Sequence, residues 1–171
     1  MSTQYIQRRL AVNSKYITEE EAISSSDIII VLAEPGAGKT ELLDYFARSR
    51  KAKRHRASIF SHKDNFEQTS ILIIDALDEV ARQDETAVDR IIVKAFEKNA
   101  EKTIFASRSY VWSNERNKFI EDCSGKKPLV LRLEPFNENE QRLLFQNNFP
   151  EEDFSVFRNE AIIYGLEQIL G

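Results

Sequence analysis

The chain has 171 residues, a net charge of -4, 42% hydrophobic and 30% charged residues, with 5 Gly and 4 Pro. That composition belongs to an ordinary globular domain, long enough to bury roughly 70% of its unfolded surface, and it excludes a disordered or low-complexity chain. The negative balance excludes any global attraction to nucleic acid or anionic membrane.

Cys123 stands alone, which excludes an intrachain disulfide and a cysteine metal cluster and fits a reducing cytoplasm. His55 and His62 are the only histidines, a poor metal set, and read as surface residues. No apolar run approaches the ~20 residues of a membrane span. The polar start of the chain, through Arg8 and Arg9, lacks the apolar core of a secretory signal.

In chain order, residues 13–26 read as linker-like, and the first strong element is the apolar run from Ile28 to Leu32, a strand over 27–33. It runs into Ala33-Glu34-Pro35-Gly36-Ala37-Gly38-Lys39-Thr40, a phosphate-binding loop in the strand, loop and helix context that the motif requires. Gly36 and Gly38 let backbone N–H groups approach a phosphate, and Ala37 adds little bulk. Lys39 supplies a point charge for the β- and γ-phosphates and Thr40 a hydroxyl for Mg²⁺, while the following helix adds its positive N-terminus. Glu34, Pro35, Gly36, Ala37, Gly38, Lys39, Thr40 and Glu41 are therefore the candidate nucleotide-binding residues. The strict pattern begins with Gly where this chain has Ala33, a change that is harmless if φ stays negative there.

Leu42, Leu43, Tyr45 and Phe46 predict a helix over 41–49. Six Lys or Arg follow within residues 48–56. This basic run reads as a solvated face at the helix end, with nucleic acid the less favoured partner. A weak strand is expected over 57–61. Ile71 to Ile74 predict a buried strand carrying Asp75 at its carboxyl end, where ligands gather in open α/β sheets and where a carboxylate holds hydrated Mg²⁺ beside the loop strand. Thr40 and Asp75 are the candidate metal residues. Asp78 is the first candidate for orienting the attacking water and Glu79 the second; the bland alternative is that both cap the next helix.

Residues 86–98 predict a helix, 102–107 a strand ending at Arg108, 122–127 a second linker-like stretch and 128–133 a further strand. Asn137 and Glu140 form a capping-box pattern opening a helix through Phe149, Pro150 ends it, and a last helix is expected over 155–170. Short apolar strands alternating with helices give an α/β fold, a three-layer sandwich around a mostly parallel five-stranded sheet.

The pairing of Ala33 to Leu43 with Ile71 to Glu79 resembles the NACHT group, STAND-class P-loop NTPases related to AAA+ proteins. Ala76 stands where most AAA+ proteins carry a glutamate directly after the acidic strand end, and Asp78 and Glu79 match the acids the NACHT group places further on. Thr103 to Arg108 is similar to the family's sensor strand, so the resemblance makes Arg108 a γ-phosphate reader and a third catalytic candidate beside Asp78 and Glu79, although Ser109 stands where Pro is frequent. Leu131 to Gln141 is similar to the strand leading into the helical lid, and Tyr5 to Arg8 resembles the element such ATPases lay over the adenine.

The resemblance implies ATP or ADP with Mg²⁺ as ligands, hydrolysis at the γ-phosphate, and a signalling switch that self-associates when an unknown trigger activates it. Bacterial relatives commonly serve in antiviral defence. It divides the chain into a nucleotide-binding core over 1–135 and the beginning of a truncated helical lid over 136–171, so that turnover is expected to be weak in this chain alone. The rival classes are a nucleic-acid-stimulated P-loop ATPase and a nucleotide-binding module with little turnover.

Overall fold

A computed structural model of the chain describes residues 5–163. Five strands run parallel: β3 (Ile28–Ala33), β4 (Lys53–Arg56), β5 (Ile71–Asp75), β6 (Lys102–Arg108) and β7 (Leu129–Leu133). A hairpin of β1 (Leu10–Val12) and β2 (Lys15–Ile17) joins them, β1 pairing antiparallel with β7. The sheet therefore has seven strands, in the order β2-β1-β7-β3-β6-β5-β4. The expectation of five strands fails at the hairpin, whose three-residue strands, Leu-Ala-Val and Lys-Tyr-Ile, are too short to register as apolar runs.

Among the described residues eight helices complete the fold: α1 (Glu19–Ser25), α2 (Lys39–Ser49), α3 (Ala57–His62), α4 (Leu77–Ala81), α5 (Glu85–Glu97), α6 (Asn114–Ser124), α7 (Glu138–Asn148) and α8 (Phe154–Ile163), with one 3₁₀ turn at Ser109–Val111. Alternation along β3 shows why the fold has three layers. Ile29 and Val31 pack into one core with Leu42, Leu43 and Phe46 of α2, whereas Ile28 and Ile30 pack into another with Phe60 of α3 and Val88, Ile91 and Ile92 of α5. Each such side chain, fully buried, contributes about 1.5–3 kcal/mol.

Three further expectations are corrected. Residues 57–61 are helical, and the edge strand is Lys53–Arg56, inside the basic run. An edge strand tolerates charge on both faces, so it carries no apolar signature. The 13–26 stretch holds β2 and α1, the latter opened by a capping box in which Thr18 and Glu21 satisfy each other's backbone N–H. The first half of the 122–127 stretch is the end of α6, closed by Gly125 in the left-handed region at φ 69, and the rest connects to β7.

α2, α5 and α7 follow the expected helices closely, α7 with its Asn137 and Glu140 capping box, and α6 lies where no helix was expected. Of the last expected helix, Phe154–Ile163 is helical, and 164–170 lie outside the described residues. His55 departs from its surface reading: it stacks edge-on against Phe66 at 4.7 Å, and burial, then Lys63 and Lys53, lower its basicity. No helix among the described residues is long and apolar enough to cross a membrane.

Candidate active site at the carboxyl ends of the parallel strands

The loop between β3 and α2 is built on two positive-φ glycines, Gly36 (φ 82) and Gly38 (φ 83), the second being the N-cap of α2. Ala33 ends β3 and is not among the positive-φ residues, so its methyl is tolerated. Ala37 is buried, and its N–H donates to the Glu34 carbonyl at 3.2 Å, which tightens the turn.

A cleft of about 600 Å³ opens above this loop. Glu34, Pro35, Gly36, Gly38, Lys39 and Thr40 form one wall, and Asp75, Ala76, Asp78, Glu79 and Arg108 another. Glu41 is exposed on the first turn of α2, outside these walls.

Lys39 Nζ lies 2.9 Å from Asp75 Oδ1 and 3.9 Å from Asp78 Oδ1. Asp75 was expected on a strand beside the loop strand. In fact β6 lies between β3 and β5, and it is Arg108 that pairs in register with Ala33. Lys39 bridges that gap because it starts α2 and projects a long side chain across the strand ends.

Ala76 adopts the left-handed conformation (φ 61, ψ 39) at the N-cap of α4, and its N–H donates to Asp75 Oδ1 at 2.6 Å. This sharp turn buries Asp78, which meets Arg108 Nε at 3.2 Å. Glu79 is exposed and accepts from Arg56 Nη2 at 2.5 Å.

Sequence reasoning missed Arg54 and Arg56 as cleft residues. In β4 they share one face, and His55 occupies the other, against Phe60 and Phe66. Arg54 pairs with Asp44 and, through Nη2 at 2.6 Å, with Asp75 Oδ2. Period-two alternation within the basic run was the available signal, obscured by placing the strand too late. Elsewhere in the run, Arg50 pairs with Glu20 and Lys53 with Glu67. Much of its charge is therefore internally neutralised.

Electrostatically, burial works against ionisation of Asp75, but Lys39 and Arg54 outweigh it and hold the carboxyl below the usual carboxylate range. Burial likewise opposes the charge of Arg54, yet Asp75 and Asp44 raise its basicity above the ordinary value.

The segment at Tyr5 to Arg8 runs beside the loop. Tyr5 stacks flat on Tyr45 of α2 at 4.2 Å and donates to Glu19 Oε1 at 2.5 Å. Arg8 is 3% exposed, lies over the Phe136 ring at 3.4 Å and donates from Nη2 to the Glu134 carbonyl at 2.6 Å. Among the described residues its Nη1 and Nε have no hydrogen-bond partner, and Nη1 would stand 2.8 Å from a Cβ added to Gly38. An apolar cavity of about 230 Å³ also touches Gly36 and is lined by aromatic rings including Phe136, Phe145 and Phe149.

These features suit a nucleoside triphosphate and a hard divalent cation. A Cβ at Gly38 would press on Arg8 Nη1, the buried Arg8 guanidinium keeps Nη1 and Nε without a partner among the described residues, and the nearby donors for a cation are the oxygens of Thr40 and Asp75.

No protein-family model matches the chain, and no curated protein matches it. Among solved structures it is similar to a DNA replication initiation factor, at 17% identity and a TM-score of 0.56, covering 89% of this chain and 54% of that one. The likeness shows the fold. It is an α/β fold built around a mixed seven-stranded sheet. A second match is the Aeropyrum pernix Orc1 protein, solved in complex with DNA, at 13% identity and a TM-score of 0.47, covering 77% of this chain and 46% of that one. The chain thus spans about half the length of the structures it matches.

Proposed function

We propose that the chain binds ATP with Mg²⁺ and hydrolyses the γ-phosphate bond as the core of a NACHT-type switch. The observation that carries this reading is Lys39, rising from a glycine cradle and lying 2.9 Å from Asp75 at the carboxyl edge of the parallel sheet. In this reading the backbone N–H groups of the loop and the N-terminus of α2 hold the phosphates, and Lys39 and Arg108 stabilise charge spreading over the γ-phosphate oxygens. Thr40 and Asp75 would hold Mg²⁺, which would supply charge neutralisation for the transferring phosphoryl group. Asp78 orients the attacking water, with Glu79 its alternate, and the aromatic cavity beside Gly36 offers stacking surface for the base.

The NACHT reading is supported by Ala76, a small residue directly after Asp75 whose left-handed turn opens α4 and brings Asp78, three places on, to the cleft. The lid reading of residues 136–171 is supported by α7 and α8, whose aromatic side chains meet at the loop. Self-association and an antiviral setting rest on the resemblance alone. Nucleic-acid stimulation draws no support from the basic run, whose Arg54 and Arg56 are turned into the cleft.

Titration of a fluorescent ATP analogue into the wild-type chain and Lys39→Ala tests the reading. Saturable binding that Lys39→Ala removes is expected; equal affinity in both would overturn the loop assignment.

A further inference from the structure

We infer that Arg54 is a positioning residue for the divalent cation: clamped by Asp44, it fixes the rotation of the Asp75 carboxylate and the spacing between the two elements that hold the cation's oxygen donors. The inference rests on the nucleotide reading above and deepens it.

Both oxygens of Asp75 are engaged, and from different directions. Oδ1 accepts from Lys39 Nζ at 2.9 Å and from the Ala76 N–H at 2.6 Å, whereas Oδ2 accepts from Arg54 Nη2 at 2.6 Å. A carboxylate held at both ends cannot turn about its Cβ–Cγ bond without breaking one set of contacts. Arg54 is itself anchored. Its other terminal nitrogen pairs with Asp44 and lies 3.5 Å from the Thr40 carbonyl oxygen.

Thr40 and Asp44 stand one turn apart on α2, hence on one face of that helix. The guanidinium therefore spans from the helix carrying Thr40 to the strand carrying Asp75, through the edge strand β4 that belongs to neither. A planar fork with two separated donor nitrogens makes this bridge; an ammonium is a single point and reaches one carboxylate at a time. Partners behind a metal ligand orient it, and their loss typically costs about 10- to 100-fold in metal affinity.

The test uses the full 171-residue chain, in wild-type form and as Arg54→Gln, Arg54→Lys and Asp44→Asn. Two quantities are read by thermal melting and by fluorescent-nucleotide titration: nucleotide affinity in EDTA, and the Mg²⁺ or Mn²⁺ concentration giving half of the metal-dependent gain. Arg54→Gln is expected to raise the metal midpoint about tenfold or more while the EDTA affinity stays within about twofold. Arg54→Lys recovers part of the loss, and Asp44→Asn moves the midpoint the same way by less. Ligand-free melting of each variant identifies any that fail to fold, and Asp44→Asn, which keeps the contact to Asp75, then carries the comparison.

An unchanged midpoint overturns the inference. A lowered midpoint overturns it too, making Arg54 a competitor of the cation, and an equal loss in EDTA makes it a phosphate contact instead. If the wild-type chain responds to no nucleotide, with or without metal, the functional reading itself fails and this inference falls with it. A wild-type response with unmoved variants defeats only the inference.

Discussion

Arg108 Nε stands 3.2 Å from Asp78 Oδ2, joining the end of β6 to the first turn of α4. Asp78 is 3% exposed, and Lys39 Nζ lies 3.9 Å from its other oxygen. A buried carboxylate is thus held between two cations from different elements, and taking one away leaves a charge poorly compensated. Arg108→Ala should destabilise the ligand-free chain by about 1–2 kcal/mol. It should also slow phosphate release by about 10²- to 10³-fold. Urea denaturation beside a phosphate-release assay checks both, and wild-type values in each would remove Arg108 from either role.

Asp78→Asn keeps the shape and hydrogen-bonding reach of the side chain while removing its charge. Nucleotide affinity should change by less than about threefold and turnover should fall by about 10²-fold or more. Glu79 is the alternate, exposed and held by Arg56 at 2.5 Å. Turnover that survives Asp78→Asn and is lost in Glu79→Gln would transfer the role to Glu79.

Ala76 carries backbone strain, since a left-handed φ of 61 costs a residue with a Cβ about 1–2 kcal/mol. Ala76→Gly relieves that strain and is expected to leave stability unchanged or to raise it by up to about 1 kcal/mol, part of the gain offset by the freer unfolded chain. Ala76→Val, branched and 9% exposed in the native residue, should lose more than about 2 kcal/mol. Melting temperatures in the opposite order would contradict the turn geometry.

Acid should weaken the site from the Asp75 side. Burial opposes ionisation of this carboxyl, but Lys39 and Arg54 outweigh it, so its folded pKa lies below its unfolded one. The stabilisation it supplies is therefore fully present above the unfolded value of about 3.9 and is lost as pH falls through the folded value. Glu19 has the opposite sign: burial, partly offset by Tyr5 and the Arg8 N–H, raises its pKa, so its contribution is present at low pH and falls away as pH rises. The stability gap between wild type and Asp75→Asn should be constant above about pH 5 and narrow below it. A gap that widens on acidification would reverse the assignment.

The loop and the strand ending at Asp75 were legible because local chemistry dictates them: glycines at positive φ, a run of branched apolar residues, and an acid at its carboxyl end. The capping box at Asn137 was legible for the same reason. The β1–β2 hairpin and β4 were not, since what makes them is their tertiary setting, whereas α1 carries a local signature, the Thr18 and Glu21 capping box, inside a stretch read as linker. Lys53 to Arg56 form a strand because β5 offers a free edge, and Arg54 and Arg56 face the cleft because the register sets Arg56 beside Asp75. A run of cations read alone looks like a solvated surface. Only the fold brings Asp44 and Asp75 to meet it.

Thermal melting of the wild-type chain with ATP, ADP and GTP, each with Mg²⁺ or with EDTA, tests the central claim most directly. Binding to the folded state alone should add about 2.7 kcal/mol at a hundred times Kd. A rise in melting temperature is expected with adenine nucleotides, one that Mg²⁺ enlarges for ATP and that Lys39→Ala abolishes. An unmoved melting temperature under every nucleotide would contradict it.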